Sequence, residues 1–431
     1  MLAIIGFIMI CTFMILIMTK KMSVLSALII IPVIFGIISG FGPELGKMIL
    51  KGVLQVAPIG LMLMFAVLYF SIMMDAGLFE PMVKGVVRII GDDPMKIAFG
   101  TTIVSLIVSM SGDAVSTALV VFATFIPIYA RTGMNVMVMA TLLALSNSVL
   151  NLLPWGGPLA RVASSLHLEP NDIFLPLIPT MLITSSAILV LTWWFGRTER
   201  IRLNYVPCAV IKDSKLESEQ TTSNPRKKII LWINLILTLC VLGAMGARLA
   251  PLPVVFMIGV SIALLINFPS LKEQREKLAS YADNAFTIIS LIFASGALIG
   301  IMTETGMVTQ MAQQLVRIVP ATFGPVFAAI TGVLSLPLLL FMSNDAYYFG
   351  ILPIIAQLGA TYNVPAIEIA RASMLGMPVH MFSPLLPALY LLAGMLKADV
   401  GMFQRFALKW AVVISIVMII GAIVTGAIHF L

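Results

Sequence analysis

Charge is scarce in this chain. Asp, Glu, Lys and Arg make up 10% of its 431 residues, and 60% are hydrophobic. The mean hydropathy is +1.08. A soluble globular domain is excluded, since about a quarter of such a domain is charged. Cysteine is rare too. Cys11, Cys208 and Cys240 have neither metal-ligand spacing nor a disulfide framework, and read as passive apolar residues. The three histidines form no metal-binding pattern. No paired nucleophile and base and no phosphate loop stands out, so an enzyme is not expected, nor is a resident cofactor. The first apolar run, about 2–19, lacks a preceding basic segment and a small-residue cleavage site. It is expected to be a retained helix, not a signal peptide. The 29 methionines show no ligand spacing and read as core and lipid-facing filler. The net charge of +7 is better explained by membrane topology than by an anionic partner such as nucleic acid.

Apolar runs of about 17–25 residues are plentiful, the length a helix needs to cross a bilayer. Expected spans are about 2–19, 23–40, 53–74, 135–166 and 171–196, then about 229–246, 251–268, 284–302, 365–393 and 405–429. Two further stretches, 97–130 and 321–360, are expected to enter and leave by the same side as hairpins. With the N-terminus outside, twenty of the 26 Lys and Arg fall inside. Only Lys47, Lys51, Arg248 and Arg317 lie outside, and Arg161 and Arg371 lie at membrane depth.

The hairpin tips repeat one another. Met110-Ser111-Gly112-Asp113-Ala114 recurs as Met342-Ser343-Asn344-Asp345-Ala346. Asp113 is the only charged residue between Lys96 and Arg131, and Asp345 the only one between Arg317 and Glu368. A carboxylate in hydrocarbon is expensive, so it is expected to line a cavity, pair, or hold an ion or proton. Capping the hairpin through its side-chain oxygen is the plainer alternative. Asp75-Ala-Gly77 through Arg88 aligns with Glu304-Thr-Gly306 through Arg317. Val149, Pro154, Leu159 and Ala163 match Val379, Pro384, Leu389 and Ala393 at a constant offset of 230.

These matches predict an all-α polytopic membrane protein of two inverted repeats, each with five spanning helices and one re-entrant hairpin. Residues 1–196 form the first repeat, with scaffold helices about 1–74 and transport elements about 95–196. Residues 197–228 form a cytoplasmic polar linker. Residues 229–431 form the second repeat, with scaffold helices about 229–302 and transport elements about 321–431.

Two spans are expected to break. The first carries Ser146-Asn147, then Asn151-Leu-Leu-Pro154-Trp-Gly156-Gly157-Pro158; the second carries Met377-Pro378, His380 and Ser383-Pro384. Proline removes a backbone donor, and glycine admits a close ligand. Unwound backbone is tolerated in a membrane where protein or a wet cavity surrounds it. The half-helix N-termini then offer N–H groups to an anion. Candidate binding residues are Ser111, Gly112, Asp113, Ser116, Asn147, Asn151, Gly156, Gly157, Arg161, Ser343, Asn344, Asp345, Tyr348, Pro378, His380 and Ser383. Asp113, Asp345 and His380 are the proton-coupling candidates, and Asp113 and Asp345 are the candidates to touch a metal ion. Each has a plainer reading: His380 as a packing residue, Tyr347 and Tyr348 as hairpin packing, the breaks as kinks. Arg161 either forks onto a substrate carboxylate or snorkels to the surface. Arg371 is expected to snorkel.

At Asn151 through Arg161, Asp345 through Pro353, Ala370 through His380 with Ser383-Pro384, and Gln404 through Trp410, the chain resembles the citrate–divalent-metal:proton symporter family of the ion transporter superfamily. The likeness runs nearly end to end. It implies import of citrate complexed with a divalent cation such as Mg2+, in symport with protons. It also implies an elevator-like transport domain moving against a dimeric scaffold, as a multi-pass protein of a bacterial plasma membrane. The residues themselves leave two alternatives open: a proton- or sodium-coupled carrier of another organic anion such as a dicarboxylate or gluconate, and a cation/proton antiporter.

Overall fold

The computed structural model describes residues 1–205, 225–317 and 319–429. Most of the expected polar linker over 197–228 lies outside the described residues, as do Cys208 and Ile318. Among the described residues the chain is helical, with no strand.

The first half runs α1 (Leu2–Met18), α2 (Val24–Ile38), α3 (Leu45–Asp75), α4 (Glu80–Ile90), α5 (Pro94–Ser109), α6 (Ala114–Thr132), α7 (Val136–Leu150), α8 (Gly157–Leu166), α9 (Pro170–Phe174) and α10 (Ile178–Arg202). The second half runs α11 (Pro225–Gly246), α12 (Leu252–Asn267), α13 (Leu271–Glu304), α14 (Met307–Val316), α15 (Phe327–Phe341), α16 (Leu352–Thr361), α17 (Ala366–Ser373), α18 (Met377–His380), α19 (Pro387–Leu396) and α20 (Val400–Val424). Among the described residues, seven helical stretches are long and apolar enough to cross a bilayer.

Several helices outrun the apolar stretches that announced them. The span expected over 53–74 begins at Leu45, and the one expected over 284–302 begins at Leu271. Hydropathy marks only the lipid-matched part of a helix, whereas the backbone ladder continues to the next breaker. Upstream of α13 that breaker is Pro269-Ser270. Two short helices, α4 and α14, were not expected. Each follows a glycine in the left-handed region, Gly77 at φ +75° and Gly306 at φ +73°, where a side chain would strain the turn. These are the glycines that align between the halves.

α3 and α13 pack antiparallel along their length. Lipid tails are as apolar as leucine, so such a pair is held by close packing and polar contacts rather than by hydrophobic exclusion. The closeness is extreme at Gly52: a Cβ there would lie 2.0 Å from the carbonyl oxygen of Gly296. One added at Gly300 would lie 2.2 Å from that of Met48. Ion pairs close both ends of the crossing. Lys51 Nζ meets Glu304 Oε1 at 2.7 Å, and Lys277 Nζ meets Asp75 Oδ2 at 2.6 Å.

In a second group, α7 and α10 pack on the first hairpin's helices α5 and α6, and α20 packs on α7 and α10. Asp93 caps α5 by accepting from Met95 N–H at 3.0 Å and takes Arg200 Nε at 2.8 Å. Burial pushes the Asp93 carboxyl up, but the Arg200 and Met95 hydrogen bonds outweigh it and hold the group below its ordinary range. Buried hydroxyls tie the group together, Thr102 to Thr192 at 2.7 Å and Thr101 to Tyr129 at 3.2 Å.

Candidate substrate cavity

The stretch over 97–130 folds as the helix–tip–helix of α5 and α6. The turn needs Gly112, whose φ is +77°. Asp113 then caps α6. Its Oδ1 accepts from Val115 N–H at 3.1 Å and its Oδ2 from Ser116 N–H at 3.0 Å and the Ser116 hydroxyl. The capping reading therefore holds, yet the carboxylate also faces open space. Ser111, Gly112, Asp113 and Ser116 line a cavity of about 370 Å³. That volume suits a small organic ligand, since such sites run from about 300 to 1,000 Å³. α3 supplies much of the opposite wall, with Phe70, Ser71 and Asp75, and α13 adds Tyr281 and Thr287.

The break between α7 and α8 completes the cavity with Trp155 and Gly157. The Trp155 indole N–H donates to Met110 O at 2.9 Å, and its ring stacks on Phe70 with centroids 5.0 Å apart. Gly156 is the N-cap residue of α8 and supplies no side-chain hydrogen bond, and Pro158 has no N–H, so the helix offers the N–H groups of Gly157 and Leu159. One wall thus carries a carboxylate for a cation, and another the positive end of a helix for an anion. The Ser and Thr hydroxyls supply the oxygen ligands that hard cations prefer.

Behind the tip, a polar chain joins the halves. Asn147 Nδ2 donates to Ser109 Oγ at 3.2 Å, Asn151 Nδ2 to Asn147 Oδ1 at 3.1 Å, and Asn151 Nδ2 also reaches Met381 Sδ at 3.8 Å. Asn147 and Asn151 thus buttress the hairpin and do not line the cavity.

The second hairpin is built differently. α15 ends at Phe341, and after the tip the chain passes through a wide π turn, Ala346–Ile351, before α16. Ser343 Oγ accepts from Ala346 N–H at 3.2 Å. Asp345 does not cap its helix. Its Oδ1 instead accepts from Arg161 Nε at 2.7 Å, with both side chains about 15% exposed. Arg161 therefore neither forks onto open space nor snorkels. Its Nη1 donates to Gly157 O at 3.1 Å, which links the pair to the cavity wall. Arg371 donates to the carbonyls of Asp172 at 2.8 Å and Ala427 at 3.2 Å.

Ser343, Asn344, Asp345, Tyr348, Pro378, His380 and Ser383 lie outside this cavity's lining. His380 Nδ1 donates to Leu339 O at 2.8 Å, which leaves Nε2 as a buried lone pair with no partner among the described residues. Asn344 Oδ1 and the Tyr347 hydroxyl are likewise buried without partners there. Tyr348 OH reaches Met377 Sδ at 3.5 Å, and Ser383 Oγ donates to Leu340 O at 2.7 Å. Polar atoms left bare in an apolar interior are costly unless something occupies them in another state. Sequence reasoning passed over Trp155, Asp75 and Tyr281. The signal for Asp75 was present, since it heads the segment that aligns with Glu304.

A family model described as citrate transporter (CitMHS) matches residues 7–376. The chain belongs to this citrate transporter family. Its members are secondary transporters, not enzymes, and the apolar helices agree with a multi-pass membrane protein. A citrate transporter of Bacillus subtilis (strain 168) is 43% identical over 430 residues, covering 100% of both chains. A Mg(2+)/citrate complex secondary transporter of the same organism is 39% identical over 429 residues, covering 99% of each. Among solved structures, the YdaH transporter of Alcanivorax borkumensis superposes with a TM-score of 0.60 at 13% identity, over 91% of this chain and 90% of that one. MtrF of Neisseria gonorrhoeae gives 0.59 at 12% identity, over 90% and 84%. At that identity these two speak for the fold alone.

Proposed function

We propose that this family member imports citrate as a complex with a divalent cation, in symport with protons, and that the cargo sits in the cavity under the first hairpin. The observation that carries the reading is the contrast between the two tip carboxylates. Asp113 faces the cavity with only hydroxyl and N–H partners, whereas Asp345 is neutralised by Arg161. The lone carboxylate meets the cation, and the N-terminus of α8 meets citrate carboxylates. A metal–citrate complex carries less charge than the bare trianion and so costs less to desolvate. The named specificity of the Mg(2+)/citrate relative supports the same cargo.

Symport requires the loaded protein to hold cation and proton together. A carboxylate that ligates a metal must be deprotonated, so Asp113 cannot serve both. The open Nε2 of His380 is the remaining proton-carrier candidate, and Asp345 holds Arg161 in place. In this reading the two halves are inverted repeats of five spans and a hairpin, supported by the reciprocal α3–α13 ion pairs and the matching Gly77 and Gly306 turns. The hairpins and broken helices form the moving body of an elevator, and α1–α3 with α11–α13 form a dimeric scaffold. The distribution of basic residues supports an inside location for the Asp75 end of α3.

Radiolabelled citrate uptake into proteoliposomes, scanned over divalent cations with and without a pH gradient, tests this. Uptake is expected to require the cation and to accelerate when the outside is acidic. Cation-independent uptake, or drive by sodium alone, would favour the carrier of a different organic anion or a different coupling ion.

A further inference from the structure

Each end of the α3–α13 pair carries a carboxylate held by a lysine of the opposite half, and the Asp75 end adds a tyrosine hydroxyl. At one end Asp75 Oδ2 takes Lys277 Nζ at 2.6 Å and the Tyr281 hydroxyl, while Asp75 Oδ1 has no hydrogen bond among the described residues. Asp75 and Tyr281 line the same cavity as Asp113, yet the Asp75 and Lys277 side chains are 39% and 42% exposed. The cluster therefore stands where the cavity meets water. At the other end Glu304 Oε1 takes Lys51 Nζ, with exposures of 30% and 58%. Asp75 and Glu304 occupy matching positions in the two halves, and each pairs with a lysine of the opposite half.

A half-neutralised carboxylate beside an ammonium is a poor trap for a bare ion of either sign. It matches a complex that presents both: the unpaired carboxylate oxygen meets the cation, and the ammonium meets a cargo carboxylate. Mg2+-like ions keep several waters and accept one or two protein carboxylates, so a half-exposed, hydrated station is adequate and holds its cargo weakly. We propose that Asp75–Lys277–Tyr281 is a second, transient binding station for the metal–carboxylate cargo at the inner mouth, and that Glu304–Lys51 is its counterpart at the outer mouth. This rests on the cargo proposed above. A station at a mouth speeds capture and release there equally and leaves the overall equilibrium of transport untouched.

That last property gives a signature. In proteoliposomes with one orientation silenced, Asp75→Asn keeps an oxygen for Tyr281 and Lys277 but loses the charge. For transport starting at the Asp75 mouth, KM is expected to rise about tenfold at unchanged maximal rate, the low end of the gain from charged steering. For transport starting at the opposite mouth, the maximal rate is expected to fall by the same factor while KM does not rise, because release is slowed. Glu304→Gln is expected to give the mirror image, and Asp75→Glu to restore much of the wild-type behaviour. Changes that are the same from both mouths, no change from either, or failure of Asp75→Glu to restore capture in a folded protein would overturn the proposal. Failure of the wild-type protein to carry Mg2+–citrate would strike the cargo reading instead. The sided comparison is then run with the carboxylate it does carry, with and without Mg2+.

Discussion

Asp113→Asn is expected to cut citrate uptake by roughly 30- to 150-fold while the protein inserts and melts as the wild type does. The size follows from losing one charged contact to the cargo, about 2–3 kcal/mol, at about 1.4 kcal/mol per tenfold. The structural neutrality follows from the cap. Asparagine ranks with aspartate as a helix N-cap, so its amide oxygen still receives an N–H of Val115 or Ser116. Uptake rate against cation concentration, read beside a detergent melting curve, checks both halves. Wild-type uptake in a well-folded Asn variant would remove Asp113 from the cargo site. The clustering of Tyr347, Tyr348 and His380 in the second half would by itself favour a larger loss of affinity for Asp345→Asn. The Arg161 pair argues for the opposite ranking.

Arg161→Met is expected to destabilise the protein by about 3–5 kcal/mol, because it strands the buried Asp345 charge. Asp345→Asn strands Arg161 in the same way, with a smaller loss because an amide oxygen still meets Nε. The double variant Arg161→Met with Asp345→Asn removes both charges and is expected to regain most of the loss. The four proteins form a cycle whose non-additivity measures the pair directly. Melting in detergent supplies the readout, and strictly additive losses would show that the two side chains do not depend on each other. Uptake is expected to stay low even in the stable double variant, since Arg161 also holds the Gly157 carbonyl on the cavity wall.

The elements of this site were legible where a residue was out of place for its surroundings. A single Asp in an apolar run announced each hairpin tip, and proline with glycine announced the break at 151–156 and the broken run after Ser373. The roles within the site were less legible. Nothing in the two similar tips distinguishes Asp113, which caps a helix and faces a cavity, from Asp345, which sits in a π turn against Arg161. That difference depends on a side chain 184 positions away, and a sequence carries no distance between such positions. The α3 wall was hidden for another reason. Leu63, Val67 and Phe70 line the cavity, but in an apolar helix they look like any lipid-facing residue. Helix length was underestimated wherever the ladder outran the apolar window, as in α13, whose polar first turns carry Lys277 and Tyr281 to the cavity mouth.

The claim at the centre is that cation and citrate bind together in one cavity. Calorimetric titration of the purified wild-type protein tests it most directly, with citrate alone in chelator, Mg2+ alone, and the two together. Saturable binding is expected only when both are present, with one complex bound per chain at the central site. Citrate binding as tightly in chelator as with Mg2+ would contradict the account.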